Sequence, residues 1–416
     1  MSNNRVTTLP NGIKIITEHI SYVKSFSLGF WFNSGARDET DDNNGISHFI
    51  EHMVFKGTKK RSAKRISEEI ESVGGYLNAF TSKEHTCFYG RGLAQNIGKT
   101  FNVISDMVLN PLFRDKDIIK EASVILDELN DINDNPEELI FDKFEELIFN
   151  GSSLGLPIIG TERNITNFNS DILHSFHKER YSTGELLVVA SGLVNHDEIV
   201  KLTEKTFVDN FKFSPQARKI NDENFASNLI IEKEIQQVHC IIGRKTYGFD
   251  NPKRFPLILL SNALGEGSSS RLFQAVREKR GITYQINSFL NSFSDASAFG
   301  VYFSTNEKHV DKVVSIIAKE FQKFRDVKVS QRELQRVKEY VKGGLILSLE
   351  NTTNRMIRIA HSFLYFDKFI PIEEIIQKID AITPEQISEI ANEVLDNSLF
   401  SKVIIKSTNK KLNKAA

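Results

Sequence analysis

The sequence is poor in several features that define specialised classes of protein. It contains only two cysteines, Cys87 and Cys240, in 416 residues, which excludes a disulfide-stabilised scaffold and favours a reducing compartment. No apolar run approaches the roughly 18 residues that cross a bilayer, so the sequence does not predict a membrane protein. The formal net charge is only -1 and no long basic run is present, which argues against nucleic-acid binding.

What the sequence does contain is typical of a large folded protein. Hydrophobic residues make up 40% of the chain and charged residues 26%. At roughly 150 residues per domain, the length predicts two to four domains. Strand-like alternation follows a Pro10-Asn11-Gly12 turn, which leaves no room for a targeting peptide and favours the cytoplasm. The mitochondrial matrix is expected only if the sequence is a trimmed, mature form.

The predicted elements occur twice in the same order. The first half reads as a strand pair, helices and strands, then the helical stretches 97–108 and 116–149. The second half repeats this order from a strand at 238–244, and each half closes with a polar helix followed by a strand. The sequence therefore predicts an α+β fold of two homologous α/β domains, each a mostly antiparallel sheet packed with helices.

A polar stretch separates the two halves. Residues 212–228 carry Pro215 and lack an apolar period, which predicts a linker. A repeat of about 200 residues is too long for a solenoid and indicates duplicated domains. We therefore expect an N-terminal domain over 1–215 and a C-terminal domain over 229–416.

The most specific motif is His48-Phe49-Ile50-Glu51-His52, within GISHFIEHMVFKG. The surrounding apolar residues favour a helix, so His48 and His52 lie one turn apart and their imidazoles can bind the same Zn²⁺. Glu51 faces the same side and can act on a water molecule as a general base without being a ligand. This is the H-x-x-E-H pattern, and the alternative is a pair of surface histidines beside a carboxylate.

A catalytic zinc site needs a third protein ligand, and one acidic helix offers candidates. The segment KEASVILDELND carries four carboxylates, Glu121, Asp127, Glu128 and Asp131. Glu121 and Glu128 are two helical turns apart and share a face, which makes them the better pair for a ligand and a supporting residue. Spacing alone does not decide which of the two is the ligand.

These motifs together resemble a known family. HFIEHMVFKGT, followed 76 residues after His52 by Glu128 in VILDELND, resembles the pitrilysin or insulinase zinc metallopeptidases. Within that family it is most similar to mitochondrial processing peptidase and its bacterial relatives, and the resemblance extends over the duplicated halves. It implies one zinc ion per chain, bound by His48, His52 and Glu128, with Glu51 as the base and Glu121 supporting the site.

The segment Leu77–Thr81 resembles the edge strand that receives substrate in this family. The resemblance implies that Asn78, Ala79 and Phe80 contact the substrate backbone. Physically, an unpaired strand edge is a template for an extended peptide, which it binds through main-chain hydrogen bonds. Without the resemblance, the segment reads simply as a strand.

The second half carries a segment that resembles the family's Arg and Tyr pair. Arg277 and Tyr284 are seven residues apart, and the resemblance implies that they reach the zinc site as catalytic donors to the developing oxyanion. Taken alone, they read as a helix-surface arginine and a core tyrosine. The glycine-rich stretch 264–271 matches the family imperfectly because it carries Glu266, and it lacks the Gly-Lys-Ser/Thr ending of a phosphate-binding loop.

Residues 135–142 resemble the stretch in which processing peptidases hold an acidic pair against a substrate arginine. Glu138 and Asp142 are four residues apart on a predicted helix, so both point the same way and could bind a guanidinium. The alternative is a solvated acidic face. His174 and His177 also have helical spacing, but we interpret them as surface residues.

The expected function is zinc-dependent endoproteolysis of short or unfolded, presequence-like peptides with arginine near the cleavage point. Glu51 would assist the attack of water on the peptide carbonyl. The alternative is a non-catalytic structural or partner subunit of the same fold. We expect a homodimer, or else a heterodimer with a metal-less homologue, and neither nucleic acid nor membrane as a partner.

Overall fold

The computed structural model describes residues 3–181, 185–207, 218 and 226–408. The predicted linker at 212–228 lies outside the described residues except for Arg218 and residues 226–228. No helix of the described ranges combines the length and apolarity that a membrane span requires. Cys87 and Cys240 are both buried and unpaired.

The chain forms two compact units that do not follow chain order strictly. Unit 1 comprises Met1–Asn130, Leu156–Lys219 and Leu347–Phe369. Unit 2 comprises Asp131–Gly155, Ile220–Ile346 and Ile370–Ala416. Each unit therefore combines most of one half of the sequence with one short segment from the other half.

Unit 1 is built on a six-stranded sheet in the order β1-β2-β6-β3-β5-β4. The pair β2 and β6 is parallel, and every other neighbouring pair is antiparallel. Strand β3 is buried on both faces because helices cover the sheet on both sides. The strands are β1 (Asn3–Thr8), β2 (Lys14–His19), β3 (Ser25–Phe32), β4 (Tyr76–Thr81), β5 (Thr86–Leu93) and β6 (Leu186–Gly192).

Unit 2 contains a five-stranded sheet in the order β7-β11-β8-β10-β9. Its one parallel pair is β7 and β11, and the rest is antiparallel. Its strands are β7 (Asn228–Lys233), β8 (Val238–Tyr247), β9 (Gln285–Ser292), β10 (Ala296–Thr305) and β11 (Ser401–Ser407). Apart from β1, this sheet repeats the connectivity of the first, which confirms the predicted duplication and the α+β class.

The helices follow the same repeat. In chain order they are α1 (Ile46–Val54), α2 (Ala63–Glu71), α3 (Ile97–Leu109), α4 (Asp115–Asp134), α5 (Pro136–Ile148), α6 (Glu162–Asn167), α7 (Ser170–Tyr181), α8 (His196–Phe207), α9 (Arg254–Gly265), α10 (Val310–Asp326), α11 (Gln331–Ser348), α12 (Thr352–Phe366), α13 (Ile372–Asp380) and α14 (Pro384–Val394). A π-helical segment, Phe273–Glu278, takes the place of a regular helix before Gly281.

Helices α5 and α12 are exchanged between the two halves of the sequence. Helix α12 packs on β3 and β6 of unit 1, where Met356, Ile359 and Phe363 join the core around Trp31. Helix α5 packs in the same way on β8 and β11 of unit 2. Each sheet therefore has one face covered by a helix from the other half of the chain.

Two local expectations were wrong. The helical stretch at 116–149 is two helices, because Pro136 has no N–H for a continuous helix and the Asn135 side chain accepts a hydrogen bond from the Glu137 backbone amide as an N-cap. His177 is not a surface residue: it is buried, and its Nε2 donates to the Val108 carbonyl over 2.7 Å.

Candidate metal centre

The helix that carries the H-x-x-E-H motif begins at a fixed point. Gly45 precedes α1 with a φ of 96°, a conformation that glycine adopts without strain. The buried carboxylate of Glu39 accepts hydrogen bonds from the backbone amides of Gly45 at 2.7 Å and Ser47 at 2.8 Å. These are N–H groups that a helix leaves unpaired at its start, so Glu39 fixes where α1 begins and which side chains face the site.

The two histidines of α1 converge with a carboxylate of α4. The ring centroids of His48 and His52 are 4.6 Å apart. Glu128 Oε2 lies 3.9 Å from His48 Nε2 and 3.6 Å from His52 Nε2. Among the described residues, this is the one group of three or more His, Cys, Asp or Glu whose ligand atoms approach within 4.8 Å of one another.

The geometry of these three residues fits a zinc ion. Tetrahedral ligands at roughly 2.0 to 2.1 Å from Zn²⁺ are about 3.3 Å apart, so the observed separations are only slightly wider than bound ligands require. Two imidazoles and one carboxylate also form a ligand set found at catalytic zinc sites, in which one position stays open. The side chain of Glu128 is 43% exposed, so the site is accessible from solvent.

Glu121 contacts the other ring nitrogen of His52. Its Oε1 accepts a hydrogen bond from His52 Nδ1 over 2.9 Å, which leaves His52 Nε2 directed toward Glu128. Its Oε2 forms a 2.5 Å ion pair with Lys56 Nζ. Burial would raise the pKa of Glu121, but the hydrogen bonds from His52 and Lys56 outweigh it and lower the pKa. The structure thus separates two carboxylates that spacing alone left interchangeable.

The electrostatics of the metal-free histidines differ. Burial lowers the pKa of His48 to about 4, and the neighbouring His52 adds to this, so His48 is neutral, the form in which imidazole binds metals. Burial also opposes a charge on His52, but the hydrogen bond with Glu121 and the charges of Glu128 and Glu51 outweigh it and raise its pKa. A divalent cation here would replace the proton that these carboxylates favour.

Glu51 lies beside the three ligand candidates but is not one of them. Its Oε2 accepts a 2.6 Å hydrogen bond from Thr81 Oγ1. Burial raises the pKa of Glu51, and the hydrogen bonds from Thr81 and the charge of His52 offset this only in part. A carboxylate whose pKa is raised accepts a proton more readily, which suits a general base.

The strand predicted to receive substrate is an edge strand. β4 pairs with β5 on one side and is the last strand of its sheet among the described residues. Asn78 is exposed, and Ala79 and Phe80 are half-buried, with the Phe80 ring against Trp31 at 5.4 Å. Helix α1 packs beside β4, so an open strand edge lies next to the metal candidate within unit 1.

The other predicted site residues belong to unit 2. Arg277 lies on the π-helical segment, and its guanidinium carbon is 4.9 Å from the ring centroid of Tyr284, so the two residues are in contact. Tyr284 is 76% exposed, which excludes the interpretation of this residue as a core tyrosine. Their role at the metal centre stays a prediction.

The predicted acidic pair lies on α5. Glu138 is exposed and accepts a 2.7 Å hydrogen bond from the Asn135 side chain, whereas Asp142 is half-buried one turn further along. In the glycine-rich stretch, Arg271 forms two 2.8 Å hydrogen bonds with Glu333, which indicates a structural role for that end of the loop.

Sequence reasoning missed Glu39, Lys56 and Thr81, because their contacts come from tertiary structure.

Comparisons with known proteins agree with this picture. The insulinase (peptidase family M16) model matches residues 14–162, and the peptidase M16 inactive domain model matches residues 167–341. The chain is 35% identical to an uncharacterized zinc protease of Mycobacterium leprae, over 96% of this chain and 91% of that protein. It is 32% identical to an uncharacterized zinc protease of Bacillus subtilis, over 97% of this chain and 98% of that protein.

A solved structure extends the likeness to the fold. A protease from Helicobacter pylori superimposes with a TM-score of 0.90 at 21% identity, covering 98% of this chain and 100% of that chain. The full-length sequence identity to the two curated relatives establishes more than a shared fold, and it confirms the resemblance seen in the motifs. This chain therefore belongs to the insulinase family of peptidases, family M16.

Proposed function

We propose that this chain is a zinc-dependent endopeptidase. The observation that carries the proposal is the convergence of His48, His52 and Glu128 beside Glu51, with an open strand edge next to them. The relatives named as zinc proteases support the same activity.

The side chains of the centre have distinct tasks in this proposal. His48, His52 and Glu128 hold one Zn²⁺ per chain, and Glu121 orients His52 through its Nδ1. When bound, zinc supplies Lewis acidity that polarises a carbonyl oxygen and lowers the pKa of water. Glu51 takes the proton from the attacking water and later delivers it to the leaving amine.

The substrate is a peptide in extended conformation. The edge of β4, at Asn78, Ala79 and Phe80, would pair with its backbone through main-chain hydrogen bonds, which make few demands on sequence. Most of the backbone of a folded protein is already paired within that protein, so short or unfolded peptides are the expected substrates. Arg277 and Tyr284 would add hydrogen-bond donors for the oxyanion, supported by their mutual contact and by the exposure of Tyr284.

Glu138 and Asp142 would favour a substrate arginine near the cleavage point. Both are on the same face of α5, and Glu138 is exposed. A pair of carboxylates can bind a guanidinium through two parallel hydrogen bonds. The double variant Glu138→Gln/Asp142→Asn should then lose its preference for arginine-containing peptides while still cleaving others, as mass-spectrometric mapping of a peptide library would reveal.

We propose a cytoplasmic homodimer as the working assembly, because one chain carries both the zinc motif and the Arg277 and Tyr284 segment. Sedimentation showing a fully active monomer would refute the dimer.

The second candidate function is a structural subunit without hydrolytic activity. The match of residues 167–341 to a domain described as inactive is the observation that favours it.

The experiment that separates these functions uses a quenched fluorescent peptide containing arginine. The purified chain should cleave it, a chelator should abolish cleavage, and added zinc should restore it. Glu51→Gln should remove cleavage while zinc stays bound, since Glu51 is not among the ligand candidates. A zinc-loaded chain that cleaves no peptide in a diverse library would favour the structural subunit.

A further inference from the structure

The carboxylate proposed as the base is held by the strand proposed to receive the substrate. Thr81, the last residue of β4, donates from Oγ1 to Glu51 Oε2 over 2.6 Å, and its backbone N–H also interacts with that carboxylate. Hydrogen bonds to a charged acceptor are shorter than neutral ones and about twice as strong. Thr81 therefore restricts how the Glu51 carboxylate can rotate.

Thr81 itself has little freedom to move. Its partner across the sheet is Thr86, whose buried Oγ1 donates to the Ser34 carbonyl over 2.9 Å. Immediately after Thr81 the chain turns, and the turn is closed by a 2.9 Å hydrogen bond from the Ser82 amide to the His85 carbonyl. The sheet and the turn thus fix the hydroxyl that reaches Glu51, independently of helix α1.

We propose that Thr81 is a positioning residue that aligns Glu51 with a peptide paired to β4. The inference rests on the proposed peptidase function. A peptide that adds to β4 takes its register from this strand, and Glu51 takes its carboxylate orientation from the same strand. One rigid element, β4, therefore sets the distance between the scissile peptide bond and Glu51, which transfers the proton of the attacking water. Proton-transfer rates depend on this geometry.

The test compares Thr81→Val, which keeps the shape and removes the donor, with Thr81→Ser, which keeps the donor. We expect Thr81→Val to lower kcat about 10- to 100-fold, the rate equivalent of one charge-assisted hydrogen bond. We expect KM to change by less than about twofold, because the main-chain pairing of substrate is untouched. Thr81→Ser should recover most of the lost kcat.

Thr203→Val is the matched control. Thr203 is buried in α8 of the same unit, and its Oγ1 donates to the Ile199 carbonyl over 2.8 Å, so the substitution removes a hydroxyl of similar character outside the site. Its kcat should equal that of the unmodified chain. An unchanged kcat in Thr81→Val, a loss confined to KM, or a failure of Thr81→Ser to restore kcat would overturn the positioning role.

A second set of measurements does not depend on catalysis. Zinc affinity, measured by competition with a chromophoric chelator, should be the same in Thr81→Val and in the unmodified chain. In a double-mutant cycle with Glu51→Ala, the effects on the urea unfolding midpoint should be non-additive, because both substitutions remove the same hydrogen bond. Additive effects would overturn the inference, whereas failure of the unmodified chain to cleave any peptide would refute the proposed function separately.

Discussion

Lys56 should control zinc affinity although it is paired with Glu121 and is not itself a ligand candidate. Its ammonium pairs at 2.5 Å with Glu121 Oε2, while Glu121 Oε1 accepts from His52 Nδ1. The Glu121 side chain is only 4% exposed, so Lys56→Met leaves a buried carboxylate with His52 as its remaining partner. Lys56 helps to lower the pKa of Glu121, so its removal makes that carboxylate easier to protonate, and a protonated carboxyl is a weaker acceptor for His52 Nδ1.

The size of the effect follows from the structure. Loss of a residue that orients a zinc ligand costs about 10- to 100-fold in affinity, which is about 1.4 to 2.8 kcal/mol. Lys56 acts through Glu121 and its side chain is 35% exposed, so solvent replaces part of its effect. We therefore expect Lys56→Met to weaken zinc binding by about tenfold and Lys56→Arg to weaken it much less.

The assay is a competition titration of metal-free protein against a chromophoric chelator at fixed pH. Lys143→Met is the control, because Lys143 forms a 2.7 Å pair with Glu146 that is exposed and lies on α5. Its zinc affinity should match that of the unmodified chain. Equal affinities for Lys56→Met and Lys143→Met, with both proteins folded by circular dichroism, would refute the link from Lys56 through Glu121 to the centre.

Three further predictions concern the fold that holds the site, all measured by urea unfolding of the metal-free protein. Glu39→Ala removes the acceptor for two amides at the start of α1 and should lower the free energy of unfolding by about 1 to 3 kcal/mol. A change within about 0.5 kcal/mol, the size that is usual for a surface substitution, would contradict the capping role. Arg355→Met should lower the free energy of unfolding by about 3 kcal/mol, because it leaves the buried Glu18 carboxylate, which lies 2.9 Å from Arg355, without its cation. An unchanged free energy of unfolding would argue against the packing of α12 on the sheet of unit 1. Burial lowers the pKa of His177 from 6.5 to about 4. The contribution of His177 to the free energy of unfolding is therefore fully present above about pH 6.5 and is lost as the pH falls toward 4. This loss is about 3 kcal/mol, and His177→Gln should abolish it. An unchanged pH dependence of the unfolding midpoint in His177→Gln would refute this assignment.

The geometry of the H-x-x-E-H motif could be predicted from sequence because it is local. His48, Glu51 and His52 share one helix, and the helical repeat alone places them on one face. Glu128 is 76 residues further on, and spacing within α4 could not distinguish it from Glu121. Their positions differ only in three dimensions, where Glu128 faces both Nε2 atoms and Glu121 faces Nδ1 of His52.

The duplicated sheets were predictable, but the exchange of helices was not. Strand and helix patterns repeat in order along the chain, and that order is visible in the sequence. Helix α12 carries an apolar face. Such a face indicates that the helix packs against another element, but it does not indicate which sheet that element belongs to. The break at Asn135-Pro136 was visible in the residues and was missed because the apolar period continues across it.

Single tertiary contacts leave no mark in a sequence. Thr81 reads as an ordinary strand threonine and Lys56 as an ordinary charge after a helix. Their importance appears only when Thr81 Oγ1 is found 2.6 Å from Glu51, and Lys56 Nζ 2.5 Å from Glu121. The exposure of Tyr284 is a similar case, because a tyrosine next to strands is expected in a core more often than on a surface.

The most direct measurement of the central claim is anomalous X-ray diffraction at the zinc absorption edge from crystals of the zinc-saturated chain. We predict a single strong peak per chain, bounded by His48 Nε2, His52 Nε2 and a carboxylate oxygen of Glu128. A peak at that position in the unmodified chain and none in Glu128→Gln would establish the ligand set. Zinc bound elsewhere, or no peak between these three side chains at saturating zinc, would contradict the account.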